Sequence, residues 1–304
     1  MSPRIVRLGT RGSALATTQS RQVAARLTAL GARCELVPIR TRGDVDRGPL
    51  AAIGGTGVFV TAVRDALLSG EVDVAVHSYK DLPTAPAPGV LLAAVPTRED
   101  PADVLCARDG MRLAELPVGA TVGTGSPRRR AQLLALRGDL EVRAVRGNVD
   151  TRLGRVVAGD LDAVVLAAAG LVRLGRSAAV TERFAADRML PAPAQGALAI
   201  ECRDETGTLA TLLGELDDLE TRATAAAERR FLTVLEAGCI APVGALATVG
   251  SDGLWLTGAV ISADGATALR GTAQGPLDAA EAIGDRLAGD LLGRGAAELL
   301  GSAR

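Results

Sequence analysis

The chain has 304 residues, 48% of them apolar and 23% charged, with a formal net charge of −1; this composition excludes wholesale disorder and a fibrous chain, and the length predicts two or three domains at roughly 100–200 residues each. Near-neutral charge and only three Phe, one Trp and one Tyr leave neither the electrostatic footprint nor the stacking platforms for nucleic acid, so no nucleic-acid partner is expected. The longest strongly apolar stretch, Ala163 to Val172, is far short of the ~18 residues of a membrane span, and Met1-Ser2-Pro3-Arg4 leads into no signal-like segment, so a cytoplasmic protein with no membrane partner is expected.

Arg4 to Leu8 predicts a short strand, Gly9-Thr10-Arg11-Gly12-Ser13 a turn, and Ala14 to Leu30 a helix stopped by Gly31. A second strand, Glu35 to Arg40, ends in Thr41-Arg42-Gly43-Asp44. After the glycine-rich Gly54-Gly55-Thr56-Gly57 comes a helix with Phe59, Val63 and Leu67 on one face, closed by Gly70. The strand Val72 to Val76 then runs into His77-Ser78-Tyr79-Lys80-Asp81. From residue 120 the same punctuation recurs in the same order: Thr121-Val122, the turn Gly123-Thr124-Gly125-Ser126, a helix from Pro127 to Leu136, the strand Glu141 to Val145 ending in Arg146-Gly147-Asn148, and the strand Asp162 to Leu166. Two related α/β units are predicted, with polar loops at the carboxyl ends of parallel strands, where open α/β sheets place ligands, and a site in the cleft between them. Pro191-Ala192-Pro193-Ala194-Gln195-Gly196 marks a return of the chain across the hinge. The remainder differs: a helix from Leu219 to Glu236, the loop Cys239-Ile240-Ala241-Pro242-Val243-Gly244, antiparallel strands divided by Ser251-Asp252-Gly253 and Ala263-Asp264-Gly265, and a last helix from near Pro276, together a small α+β domain.

The four cysteines, Cys34, Cys106, Cys202 and Cys239, are scattered without a C-x-x-C pair, so neither a metal site nor a disulfide framework is signalled. Of 34 basic residues only Lys80 is lysine, which singles it out as a compact ammonium among guanidinium groups. Arginines gather at the repeated loops: Arg11, Arg42, Arg128, Arg129, Arg130, Arg146, Arg152 and Arg173. Guanidinium forks bind carboxylates or phosphates bidentately, and Ser13 and Ser126 at helix starts add hydroxyl and backbone donors, so the implied ligand is a polyanion. Any single arginine reads more readily as a solvated surface charge than as a ligand; for the set, position at matching loops favours the site. Asp81, a carboxylate in this basic region, reads equally as a catalytic acid or as a salt-bridge or cap residue. His77 reads as a packing residue. Cys239 sits in a loop that would expose its thiol, although burial as a small apolar filler is the better reading of an arbitrary cysteine and a helix carboxyl end raises rather than lowers a thiol pKa.

Together, Thr10-Arg11-Gly12-Ser13-Ala14-Leu15-Ala16, Thr41-Arg42-Gly43-Asp44, His77-Ser78-Tyr79-Lys80-Asp81-Leu82-Pro83, Gly123-Thr124-Gly125-Ser126-Pro127-Arg128-Arg129, Arg146-Gly147-Asn148-Val149-Asp150-Thr151-Arg152 and Gly238-Cys239-Ile240-Ala241-Pro242-Val243-Gly244 resemble the porphobilinogen deaminase (hydroxymethylbilane synthase) family, nearly end to end and in order. The resemblance implies an α/β fold of two periplasmic-binding-protein-like domains flanking a cleft, residues 1–96 with about 197–214 and residues 102–190, plus a small α+β domain, residues 219–304, carrying the cofactor cysteine. It implies a transferase, expected to be a monomer, that joins four porphobilinogen molecules head to tail with loss of ammonia and releases hydroxymethylbilane for tetrapyrrole synthesis. It also implies a dipyrromethane cofactor held by a thioether to Cys239. Asp81 becomes the catalytic carboxylate; Lys80, Ser78, Ser13, Thr124, Ser126, Arg128, Arg129, Arg146 and Gln195 become cofactor-binding residues, and Arg11, Arg152 and Arg173 bind substrate carboxylates. No metal is implied. The chain departs from the family pattern at Ala52 and Thr56, where many relatives carry lysine, at Ala237 and Ile240 beside the cysteine, and at Gly125 in place of serine. A non-catalytic two-lobed anion-binding protein and an inactive homologue remain the alternatives.

Overall fold

A computed structural model describes residues 5–39, 57–204, 207–237 and 241–301. In chain order these form β1 (Ile5–Arg11), α1 (Ala14–Ala29), β2 (Arg33–Ile39), α2 (Gly57–Leu68), β3 (Val74–Ser78), β4 (Val90–Ala94), β5 (Asp103–Ala107), β6 (Thr121–Gly123), α3 (Pro127–Leu136), β7 (Glu141–Arg143), α4 (Val149–Val157), β8 (Ala163–Ala167), α5 (Ala168–Arg173) and β9 (Glu182–Arg183). Then follow β10 (Leu198–Arg203), α6 (Thr208–Gly214), α7 (Leu219–Val234), β11 (Val243–Gly250), β12 (Gly253–Ile261), β13 (Ala268–Gly275), α8 (Ala280–Gly293) and α9 (Ala296–Gly301). The chain divides into two compact units, residues 1–98 with 197–222, and residues 99–196 with 223–304. No helix among the described residues is long and apolar enough to cross a membrane.

The first unit is built on a five-stranded sheet of order β2-β1-β3-β10-β4. Ser13 caps α1 by accepting from the Ala16 amide at 3.3 Å, and Gly31, at φ +91°, ends the turn that follows. On one face Val23, Ala24 and Leu27 of α1 pack with Val6, Leu8, Val74 and Val76. On the other, Val63 and Leu67 of α2 pack with Ile39, Val72 and Ala75; each such valine, leucine or isoleucine contributes about 1.5–3 kcal/mol on burial. Val63 and Leu67 thus share the face expected of them. Inside this sheet Glu201 of β10 lies opposite Ala75 and takes a two-pronged hydrogen bond from Arg64 of α2, at 2.9 and 2.6 Å, with His77 Nε2 3.4 Å away. Burial alone would raise the Glu201 carboxyl; Arg64 and His77 outweigh it and hold the group at about 2. A carboxyl depressed in the fold lends stability that is complete above its unfolded value, near 4.5, and is lost as the pH falls toward 2. Acid titration followed by circular dichroism is therefore expected to show about 3 kcal/mol of stability lost across that window, and Glu201→Gln is expected to flatten that part of the curve.

The second unit contains a sheet of order β7-β6-β8-β5-β9 and a three-stranded antiparallel sheet, β11-β12-β13. The two five-stranded sheets have the same plan: a first strand flanked by two parallel partners, then an antiparallel strand, then an edge strand. The expected strand–turn–helix echo is thus a true structural repeat, with one correction. The sheets are mixed, because β10 and β5 start at the edge where β3 and β8 end and so run against them. The antiparallel sheet is covered by Phe231, Leu232 and Leu235 of the α7 segment and by Ile283, Leu287 and Leu291 of α8. It packs on α3 through Ala131, Leu190, Ala259 and Ile261. Gly265 in the β12–β13 turn sits at φ +77°, so close to α3 that a Cβ there would lie 2.5 Å from the Ala131 carbonyl oxygen.

Candidate active site

In the first unit the candidate residues collect where β1 and β3, parallel neighbours, end. Half-buried Arg11 is the last residue of β1, and Ser13 follows as the α1 cap. Ser78 ends β3 and is held by Gln19 of α1, whose Nε2 donates to its Oγ at 2.9 Å. A single turn of 3₁₀ helix, Tyr79–Asp81, carries Lys80, half-buried, and Asp81, exposed. The turn is anchored by the Tyr79 amide donating to the Ala197 carbonyl at 3.0 Å. Asp81 makes neither a cap nor an ion pair among the described residues. Neither the salt-bridge nor the cap alternative is thus met among the described residues. His77 packs against Glu201, as expected of a structural histidine.

The second unit gathers its candidates at the equivalent edge. Thr124 follows β6 and is buried; its Oγ1 accepts from the Ser126 amide at 3.2 Å. Ser126 caps α3 by accepting from the Arg129 amide, and Pro127 occupies the first turn. That cap directs Arg128 and Arg129, both buried, toward Asp103 at the start of β5. Arg128 Nη1 donates to Asp103 Oδ2 at 2.6 Å; Arg129 Nε and Nη2 donate to Oδ1 at 2.9 and 2.7 Å. Gln195 Nε2 donates to the same oxygen at 2.8 Å. Burial pushes the Asp103 carboxyl up, but the charges of Arg128 and Arg129 more than reverse this and hold it well below the usual range.

Around this core, Arg152 on α4 donates from Nε to the Gly147 carbonyl at 2.9 Å. Gly147 itself stands at φ +101° over Thr151, a position a Cβ could not share. Burial and the nearby charge of Arg129 lower the Arg152 pKa, with no carboxylate contributing to its shift. Arg173, at the end of α5, donates to the Gly196 carbonyl at 2.7 Å, and burial lowers its pKa. Arg146 is exposed in the loop after β7. Cys239, Arg42, Ala52 and Thr56 lie outside the described residues. Asp103 was not read from the sequence as part of the site; its signal is a carboxylate opening an otherwise apolar strand, Asp103-Val104-Leu105-Cys106-Ala107. Among the described residues no group of three or more His, Cys, Asp or Glu is placed to hold a metal ion.

Residues 6–211 match the family model described as "Porphobilinogen deaminase, dipyromethane cofactor binding domain", and residues 222–293 match "Porphobilinogen deaminase, C-terminal domain". The chain belongs to the porphobilinogen deaminase family. It is 56% identical to the porphobilinogen deaminase of Thermobifida fusca over 100% of this chain and 98% of that one. It is 53% identical to porphobilinogen deaminase 1 of Streptomyces coelicolor (99% and 99% covered) and 53% identical to the Mycolicibacterium paratuberculosis protein (99% and 98%). Among solved structures, a nutrient binding protein from Burkholderia cenocepacia bound to methionine is similar with a TM-score of 0.42 and 14% identity, over 68% of this chain and 89% of that one. The residues present fit the dipyrromethane group that defines the family's larger domain. Each pyrrole of that group bears carboxylates, and the buried guanidinium groups of Arg128 and Arg129 share the single carboxylate of Asp103, which leaves one positive charge to meet an anion.

Proposed function

We propose that this chain carries out the porphobilinogen deaminase reaction, in which four porphobilinogen molecules and one water give hydroxymethylbilane and four ammonia. The observation that carries this reading is the match to both family models in order along the chain, residues 6–211 and then 222–293. When bound, the dipyrromethane supplies the primer carbon onto which pyrroles are added. Its attachment is assigned to Cys239 through a thioether. Two of the described thiols support this by their surroundings, since burial pushes Cys106 up to about 11 and raises Cys34.

Within that chemistry Arg128, Arg129 and Arg146, with Lys80, Ser13, Ser78, Thr124, Ser126 and Gln195, bind the cofactor's polar groups, while Arg11, Arg152 and Arg173 take substrate carboxylates. Asp81 supplies a carboxylate whose charge no described cation neutralises, suited to steadying the positive charge that develops as ammonia leaves and to accepting the proton released when carbon–carbon bonds form. Three domains are assigned: residues 1–96 with about 197–214, residues 102–190 and residues 219–304, each with its own sheet. A monomer in the cytoplasm completes the reading. Incubating the purified chain with porphobilinogen tests it. Ammonia release and stepwise growth of the intact mass are expected, and a folded, cofactor-loaded protein that releases no ammonia would reject the reading in favour of an anion-binding or inactive homologue.

A further inference from the structure

Asp103 is fully buried, and two guanidinium groups meet its single carboxylate, so Asp103, Arg128 and Arg129 together carry one net positive charge. All three nitrogens of Arg129 are engaged: Nε and Nη2 with Asp103, Nη2 also with Gln195, and Nη1 with the Val165 carbonyl at 3.0 Å. Arg128 is used differently. Its Nη1 serves both Asp103 and the Leu190 carbonyl, while its Nε and Nη2 meet no acceptor among the described residues. That Nε–Nη2 edge is the side-on fork that grips a carboxylate with two parallel hydrogen bonds. Gln132 fixes the same backbone from the other side, donating to the Leu190 carbonyl at 3.0 Å and accepting from its amide at 2.7 Å.

We propose that Asp103 is a positioning residue of the anion site: by holding Nη1 of Arg128 and the whole of Arg129, it presents the Nε–Nη2 edge of Arg128, with one net charge, to a ligand carboxylate. This rests on the reading of the arginine cluster as the seat of pyrrole carboxylates. A buried acid that only balanced charge would tolerate a longer arm, whereas one that sets the angle of two forks would not, because misplacement by an ångström costs binding and rate.

Asp103→Glu separates the two roles, since it keeps the charge and moves the carboxylate by one methylene. In full-length protein checked for folding by circular dichroism, kcat/KM for porphobilinogen is expected to fall about tenfold or more, with a smaller fraction of chains carrying the two-pyrrole mass. A fall of less than about threefold with full cofactor occupancy would overturn the proposal. Should Asp103→Glu fail to fold, Asp103→Asn keeps the arm length but leaves one oxygen for two guanidinium groups; the added net positive charge by itself would favour anion binding, so a fall in kcat/KM beyond about threefold supports positioning, and a smaller change overturns it. The unsubstituted protein run alongside keeps the two readings apart: if it adds no pyrrole, the assigned reaction falls, and if it adds pyrroles while the variants match it, only the role of Asp103 falls.

Discussion

Asp81→Asn is expected to leave the fold and the covalent cofactor in place while cutting pyrrole addition by about a hundredfold or more, a loss of ~2.7 kcal/mol in transition-state stabilisation. The fold is spared because the side chain is exposed and bonds to nothing among the described residues, so no partner is left unsatisfied by its removal. The turn beneath it does not depend on the carboxylate either, being held by the Tyr79 amide on the Ala197 carbonyl and by Gln19 on Ser78. What the substitution removes is a negative charge where positive charge develops on the pyrrole, together with an acceptor for a proton; asparagine keeps the shape and supplies neither. Intact mass after a short pulse of porphobilinogen reads the outcome directly. The variant should stay at the mass of the cofactor-loaded chain when the parent has advanced by several pyrroles, and turnover within tenfold of the parent would remove Asp81 from the catalytic role.

Cys239→Ala is expected to abolish cofactor attachment and therefore turnover altogether. The other three thiols offer no substitute: Cys106 and Cys202 are buried and Cys34 is half-buried, and burial raises the pKa of both Cys106 and Cys34. A thiolate is the form that bonds to an electrophilic pyrrole, so these sites hold little of the reactive species near neutral pH. Mass spectrometry of the variant should return the mass of the bare polypeptide before and after porphobilinogen, and a pyrrole adduct on another cysteine, located by peptide mapping, would refute the assignment.

Much of this was legible in the residues. Ser13 and Ser126, each ahead of a helix, fall where the caps are, Pro127 occupies the first turn of α3, and Gly31 stands where the chain turns left-handed after α1. These are local rules, decided by a few neighbouring residues, and sequence carries them well. The repeat was visible for the same reason, because each turn announces itself in its own glycines. Strand direction was not. Leu198 to Cys202 is a strand apolar except for Glu201 that reads the same whichever way it lies in a sheet, and only tertiary pairing with β3 and β4 makes it antiparallel. Asp103 escaped for a related reason: the partners of Arg128 and Arg129 lie 25 and 26 positions upstream, beyond any helical or strand periodicity.

The place of β10 bears on how the chain is assembled during synthesis. Among the described strands β4 pairs only with β10, and β10 comes from residues 198–203, after the whole of the second five-stranded sheet has been made, from residue 103 to residue 183. A ribosome therefore finishes the strands of the later five-stranded sheet while the earlier one still lacks the strand between β3 and β4, so the first sheet begun is the second to close. Nascent chains arrested before residue 198 should hold β4 loose and protease-sensitive when the sheet of residues 103–183 is already complete, reversing the usual expectation that the first half of a protein is the first to be safe from degradation.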